Sequence, residues 1–244
     1  MSAVIWHDLE CGRYRQDLAL WLGLAKQAVA DGGAVLDVGC GTGRVTVPLA
    51  QAGYHVVALD RDPELLAELE CRAGGLPVET VCGDARDFSL PGRSFGLVIV
   101  PMQTIQLLGG ARAHSDFFRS ARAHLAPGGL VAVAIAAAED FEEFEWRDGD
   151  LGPLPDIAEV AGCAYFSQPT AVRRVDGTFV LERHREIVDP DGRRSGSDDR
   201  IELDIVTVSD LQQAAATARM RPQQQLRVEP TDEHIGSEVV IFGG

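Results

Sequence analysis

Val35-Leu36-Asp37-Val38-Gly39-Cys40-Gly41-Thr42-Gly43 is the stretch on which the reading of this 244-residue chain turns. A short β-branched run over residues 34–38 leads straight into alternating glycines, and a helical stretch follows to Gln51. Glycines there permit positive φ and let a ligand come close to the backbone. The helix end that follows offers free N–H groups. A dinucleotide site needs Gly-x-Gly-x-x-Gly. Here the glycines fall at 39, 41 and 43, position 44 is Arg, and the third, close-packing glycine is missing. Asp37, two residues before the first glycine, suits a cationic amino group better than a diphosphate. Cys40 reads as a small buried residue with no base beside it to activate it.

Outward from the loop, the chain alternates strands and helices. Residues 12–30 carry the apolar stripe of a helix (Leu18, Trp21, Leu22, Ala25, Val29), closed by Asp31-Gly32-Gly33. Residues 54–59 form a second strand ending in Asp60, and Asp62-Pro63 opens a helix with Asp as its cap. Residues 78–82 form a third strand ending in Gly83-Asp84, and residues 95–100 a fourth, followed by Pro101-Met102. A helix near 112–125, a turn at 126–129 and a fifth strand at 130–136 complete this half. The strands are continuously apolar, as in a parallel sheet covered on both faces. The second half alternates instead. Residues 165–175, 178–189 and 199–208, joined at Asp176-Gly177 and Asp191-Gly192, predict a three-stranded antiparallel insertion. Ser209-Asp210 then caps a helix to Met220, and residues 224–228 and 238–242 form a last strand pair. No Pro/Ser-rich linker divides the chain, so residues 1–244 read as one domain: an N-terminal helical lid (1–31), a core (32–138), the insertion (160–208) and a closing helix and strand pair (209–244).

Composition narrows the function classes. Net charge is −15, which repels nucleic-acid phosphates and anionic lipid. No run of apolar residues is long enough to span a bilayer, and the start lacks the pattern of a secretory signal. Five cysteines, none in Cys-x-x-Cys, fit a reducing cytoplasm better than a disulfide framework, and the six histidines show no metal-ligand spacing.

Asp37-Val-Gly-Cys-Gly-Thr-Gly43 resembles motif I of the class I S-adenosylmethionine (SAM) methyltransferases, and the resemblance runs in order over residues 34–136. It implies a doubly wound α/β fold: a mostly parallel, seven-stranded Rossmann-like sheet with its last strand reversed, plus the small antiparallel insertion. It implies a SAM site with S-adenosylhomocysteine (SAH) as product, formed by Asp37, Gly39, Cys40, Gly41 and Gly43. Asp60 takes the ribose hydroxyls in such a site, Asp84 the adenine amino group, with Arg61 and Ala85 flanking the ring, and Pro101-Met102 meets the methionine amine. Leu125-Ala-Pro-Gly-Gly129 resembles the family's turn before strand five. Residues 7–17 resemble the lid helix of small-molecule members, in which Tyr14 would meet the SAM carboxylate or the acceptor; Tyr14 reads equally well as a packing residue. The insertion resembles that of amino-sugar N,N-dimethyltransferases and glycine/sarcosine-type enzymes, where it covers the acceptor or builds a homodimer.

The substrate class follows by elimination. Pro101-Met-Gln-Thr104 is not the Asn/Asp-Pro-Pro-Tyr/Phe of enzymes that methylate nucleobase amino groups or glutamine, nor the Pro-Cys of cytosine C5 enzymes. Residues 103–110 hold no acid, so the paired Glu of arginine methyltransferases is missing. A small-molecule amine or hydroxyl remains as acceptor, with no nucleic-acid or membrane partner. SAM carries the activation itself, so no single catalytic residue is dictated. Tyr14, Gln106, His234 and His7 are candidates, with Gln103 beside them. Trp146 and the acidic residues 139–145 offer an alternative wall for a cationic amine, or a solvated helix. A non-catalytic SAM-binding sensor or partner subunit is the rival reading, and a nicotinamide-dependent oxidoreductase a weaker one.

Overall fold

In the computed structural model, residues 2–29, 33–146, 153–231 and 234–244 are described. The glycine-loop strand β1 (Ala34–Val38) lies mid-sheet because it is apolar on both faces. Helices α1 (Ser2–Glu10) and α2 (Leu18–Ala28) precede it. After it come α3 (Thr46–Gln51), β2 (His55–Asp60), α4 (Pro63–Ala73), β3 (Val78–Cys82), β4 (Phe95–Val100), α5 (Ala111–Ala123) and β5 (Leu125–Ile135). An insertion follows: β6 (Phe144–Glu145), β7 (Asp156–Val160), β8 (Cys163–Val175), β9 (Thr178–Val188) and β10 (Arg194–Asp204). The chain closes with α6 (Val208–Thr217), β11 (Arg221–Val228) and β12 (Ser237–Gly243).

The main sheet has seven strands in the order β3-β2-β1-β4-β5-β12-β11. Pairing is parallel from β3 to β5, and β12 runs antiparallel to both its neighbours. This is the expected doubly wound sheet with a reversed last strand. Alternate residues face opposite layers. Leu36, Val98, Val131 and Val240 pack with Phe117, Phe118 and Leu211 of α5 and α6. Val35, Leu97 and Ile99 pack with Trp21, Leu24 and Leu49 of α2 and α3. No helix joins β3 to β4; Phe88 and Leu90 in that connection are buried without one. Among the described residues, no helix is long and apolar enough to cross a membrane.

Several local expectations shift. The helix expected over 12–30 is α2 alone, and a separate α1 precedes it. Asp62 caps α4 as expected, its carboxylate accepting from the Glu64 and Leu65 N–H groups. At α6 the cap is Thr207, not Ser209. The Thr207 hydroxyl accepts from the Asp210 N–H, and the Asp210 carboxylate accepts from the Thr207 N–H, so Asp210 is the far member of a capping box.

The insertion has five strands instead of three. Its order is β10-β9-β8-β6, with β7 also paired to β8. β6 and β7 are too short to show alternation, and both borrow the same edge of β8, on either side of a bulge at Pro169/Ala171. β10 starts at Arg194, earlier than its apolar residues indicate, because the turn at Asp191-Gly192 is tight. Asp189 Oδ1 accepts from the N–H groups of Asp191 and Arg193, and the ladder with β9 begins at once. The polar run at 194–200 is tolerated because β10 is an edge strand.

Candidate functional site

The parallel strands end together, which brings the tips of β1, β2, β3 and β4 to one edge of the sheet. A cavity of about 490 Å³ lies on that edge, roofed by α1 and the insertion sheet. Asp37, Gly39, Cys40, Asp60, Arg61, Asp84, Ala85, Pro101 and Met102, nine of the residues expected to bind cofactor, line it.

Asp37 is 1% exposed. Thr46 donates to its Oδ2 at 2.6 Å, while Oδ1 is buried with no hydrogen-bond partner among the described residues. Burial pushes its carboxyl up to about 6, against the opposing hydrogen bond from Thr46. A buried acceptor left open at a cavity wall calls for a donor, and a cation suits it best. Asp60 is different. Its Oδ2 accepts from the Gly41 N–H at 2.8 Å and its Oδ1 from the Asp62 N–H at 3.0 Å. Asp60 therefore pins the glycine loop to the tip of β2 while still facing the cavity, with lone pairs left for a vicinal diol. Asp84 is exposed, and Arg86 clasps it, which together with the Arg86 N–H holds its carboxyl below the usual range.

The three glycines divide their work. Gly39 lines the cavity at φ +71°, and a Cβ there would strike the Thr104 side chain. Gly41 and Gly43 do not line it. Gly41 lies beneath the His7 ring and Gly43 against Leu69, both at positive φ, so these two let the loop close against side chains. Burial, reinforced by Asp37 and Asp60, raises the Cys40 thiol far above its normal value, which suits an inert packing residue.

The catalytic candidates separate. His7 and Gln103 line the cavity. Tyr14 does not: it is buried with Trp21 and Val239, its ring 5.2 Å from that of His234 and beneath the Arg44 guanidinium. His234 also stands outside the lining. Gln106 is 1% exposed and does not face the cavity. Its Nε2 donates to the Asp204 carbonyl at 3.0 Å and the Ala136 carbonyl at 3.3 Å, and its Oε1 accepts from the Ala136 N–H at 2.8 Å. It staples the insertion to β5. Gln106→Leu is expected to lower stability by about 1–3 kcal/mol, since a buried N–H loses its acceptor. SAH affinity of the folded protein should be unchanged; denaturant unfolding and calorimetry check the two. Residues 139–146 do not line this cavity either. Glu143 accepts from the Arg174 N–H, Glu145 pairs with Arg173, and Phe141 stacks on Phe179. Trp146 donates its backbone N–H to Thr170.

Other lining residues escaped the sequence reading. Glu10 accepts from Arg185 at 2.8 and 2.7 Å and from the Ser167 hydroxyl at 2.7 Å. Burial works against its charge, but these partners prevail and hold it below the ordinary range. Arg44, at the place of the third glycine of a Gly-x-Gly-x-x-Gly pattern, lies in the wall and makes a two-pronged ion pair with buried Asp17 at 2.5 and 2.8 Å. Leu181, Arg183, Ile201 and Leu203 descend from the insertion. Their signal was present: Phe179, Leu181, Arg183 and Arg185 alternate along β9 and so share a face.

This strand order, with three carboxylates at consecutive strand tips around a glycine loop, is a Rossmann-like arrangement. Residues 35–129 match the family described as methyltransferase domain. Over 149 residues the chain is 32% identical to the cypemycin N-terminal methyltransferase of Streptomyces sp, covering 61% of this chain and 59% of that one. Over 107 residues it is 32% identical to the ubiquinone biosynthesis O-methyltransferase of Rhizobium etli, covering 43% and 41%. The chain thus spans less than two thirds of either relative. DesVI of Streptomyces venezuelae shares the fold at a TM-score of 0.74 and 22% identity, over 98% of each chain. SAM-bound CalS10, an amino pentose methyltransferase from Micromonospora echinaspora, does so at 0.71 and 23%, over 97% and 96%.

Proposed function

We propose that this protein is a SAM-dependent methyltransferase acting on an amine or hydroxyl of a small molecule, in secondary metabolism. The observation that carries the reading is the open, buried Oδ1 of Asp37 in the same cavity as the Asp60 carboxylate. One is matched to a cationic amino group and the other to a vicinal diol, and SAM carries both. Asp37 would hold the methionine ammonium, Asp60 the ribose hydroxyls, and Arg61, Leu65 and Ala85 the adenine. Bound SAM supplies a sulfonium methyl whose C–S bond breaks as the acceptor nitrogen or oxygen forms its bond to carbon, leaving a neutral thioether. The chain's own work is orientation and exclusion of water: the glycine loop sets the cofactor's position, and α1 with the insertion sheet closes the cavity above it. A neutral amine needs no general base before transfer, whereas a hydroxyl must give up its proton as the methyl arrives. His7 and Gln103 are the polar side chains from the candidate set that remain near an acceptor. The free cysteines accord with a cytoplasmic protein.

Calorimetric titration with SAH, with NADH as control, tests this. We expect micromolar binding of SAH alone. Binding of NADH and not SAH would replace the reading with the oxidoreductase. SAH release on adding an acceptor separates the enzyme from a non-catalytic sensor.

A further inference from the structure

The face that the insertion turns toward the cavity has a polarity gradient along its strands. At one end Phe179 stands opposite Leu203, and Leu181 opposite Ile201. Further along, Arg183 stands opposite Asp199, and Arg185 opposite Ser197. Leu181, Ile201, Leu203 and Arg183 all line the cavity, and from the β4 edge Leu107 and Leu108 join them. Leu107 is 45% exposed, an apolar side chain held open to the cavity mouth. A polyhydroxylated acceptor would find almost no hydrogen-bonding groups along this aliphatic wall, and its hydroxyls would be desolvated without return.

The charged end is also selective. Glu10 and Arg185 satisfy each other, and Asp199 accepts from Arg185 at 2.8 Å. Arg183 is left poorly matched. Its Nη1 reaches Asp156 at 3.5 Å and the Ser167 hydroxyl at 3.4 Å, both at the limit of a hydrogen bond. Its other N–H groups find no acceptor among the described residues. The Arg183 side chain is 19% exposed, and its ion pair with half-exposed Asp156 is a long one. A mostly buried arginine with unused donors is suited to a two-pronged bond with a carboxylate.

We infer that the methyl acceptor is an aliphatic molecule bearing a carboxylate, its hydrocarbon on Leu107, Leu181, Ile201 and Leu203 and its carboxylate on Arg183. This rests on the methyltransferase reading, which supplies the cofactor in the other half of the cavity. The test uses the full chain saturated with SAH, titrated with octanoate, octylamine and octanol. Octanoate is expected to bind at least about tenfold more tightly than either, the difference one charge-assisted bond makes. Arg183→Gln should abolish that preference, Arg183→Lys should restore part of it, and Ile201→Asn should weaken all three ligands alike. SAH affinity should stay constant throughout, which also reports that each variant is folded. Equal binding of the three probes, a preference for octylamine, or an octanoate preference that survives Arg183→Gln would overturn the inference while leaving the cofactor site standing. Failure of SAH itself to bind would remove both.

Discussion

Asp37→Asn is expected to make the ligand-free protein more stable at pH 8 and SAH binding much weaker. The carboxyl is buried, has one hydrogen bond, and is pushed up to about 6 from 3.8. Below pH 3.8 it is protonated folded or unfolded, and it costs nothing. As pH rises from there to about 6, the unfolded chain ionises first and the folded state falls behind. Above about 6 the full penalty applies, on the order of 3 kcal/mol for a shift of about two units. Asparagine removes it and keeps an acceptor for Thr46, but leaves a buried NH₂ in place of Oδ1. The net gain should therefore be about 1–2 kcal/mol at pH 8, vanishing toward pH 4. The ligand sees the opposite sign: SAH loses its carboxylate partner, and affinity should fall by about 2–3 kcal/mol, or 30- to 150-fold. Thermal melts at pH 5 and 8 and calorimetry at pH 8 read both quantities. Wild-type SAH affinity should also decline below pH 6, with proton release on binding near pH 6. Unchanged affinity in the variant would mean that Asp37 faces no cation.

Asp60→Ala should weaken SAH binding by about 1.5–3 kcal/mol through loss of charge-assisted bonds to the ribose diol. The effect has a second source. Asp60 also holds the Gly41 and Asp62 N–H groups, so alanine frees the glycine loop as well. Asp60→Asn is intermediate, because its one amide oxygen still serves the Gly41 N–H while the acceptor for the Asp62 N–H and the negative charge offered to the diol are lost. Calorimetry on both variants should rank wild type above Asn and Asn above Ala. If both variants bind like wild type, the ribose lies elsewhere.

The contrast between these residues and the catalytic candidates shows where sequence reasoning holds. Asp37, Asp60 and Asp84 stand at the ends of apolar runs, and a run's end is a local property. Parallel packing of such runs brings their ends to one edge, so the cavity's floor was legible. Gln106 and His234 are candidates by position beside those runs, and Tyr14 by the resemblance of residues 7–17 to a lid helix; neither ground specifies which way a side chain turns. Gln106 turns into the junction with Asp204, 98 residues away. The two short strands β6 and β7 were missed because two to five residues carry no usable period.

By itself the amino-acid sequence determined the parallel sheet, the glycine loop, the two hairpins of the insertion and the carboxylates at the strand tips. Each depends on the period of apolar residues or on a turn residue's allowed dihedrals, which act within a few positions. Only the tertiary structure decided the roof and its charges. Glu10 meets Arg185 across 175 positions, Arg44 meets Asp17 across 27, and Arg183 reaches Asp156 only at 3.5 Å. Which ions pair closely and which only loosely depends on how α1 and the insertion dock, and no local pattern encodes that choice.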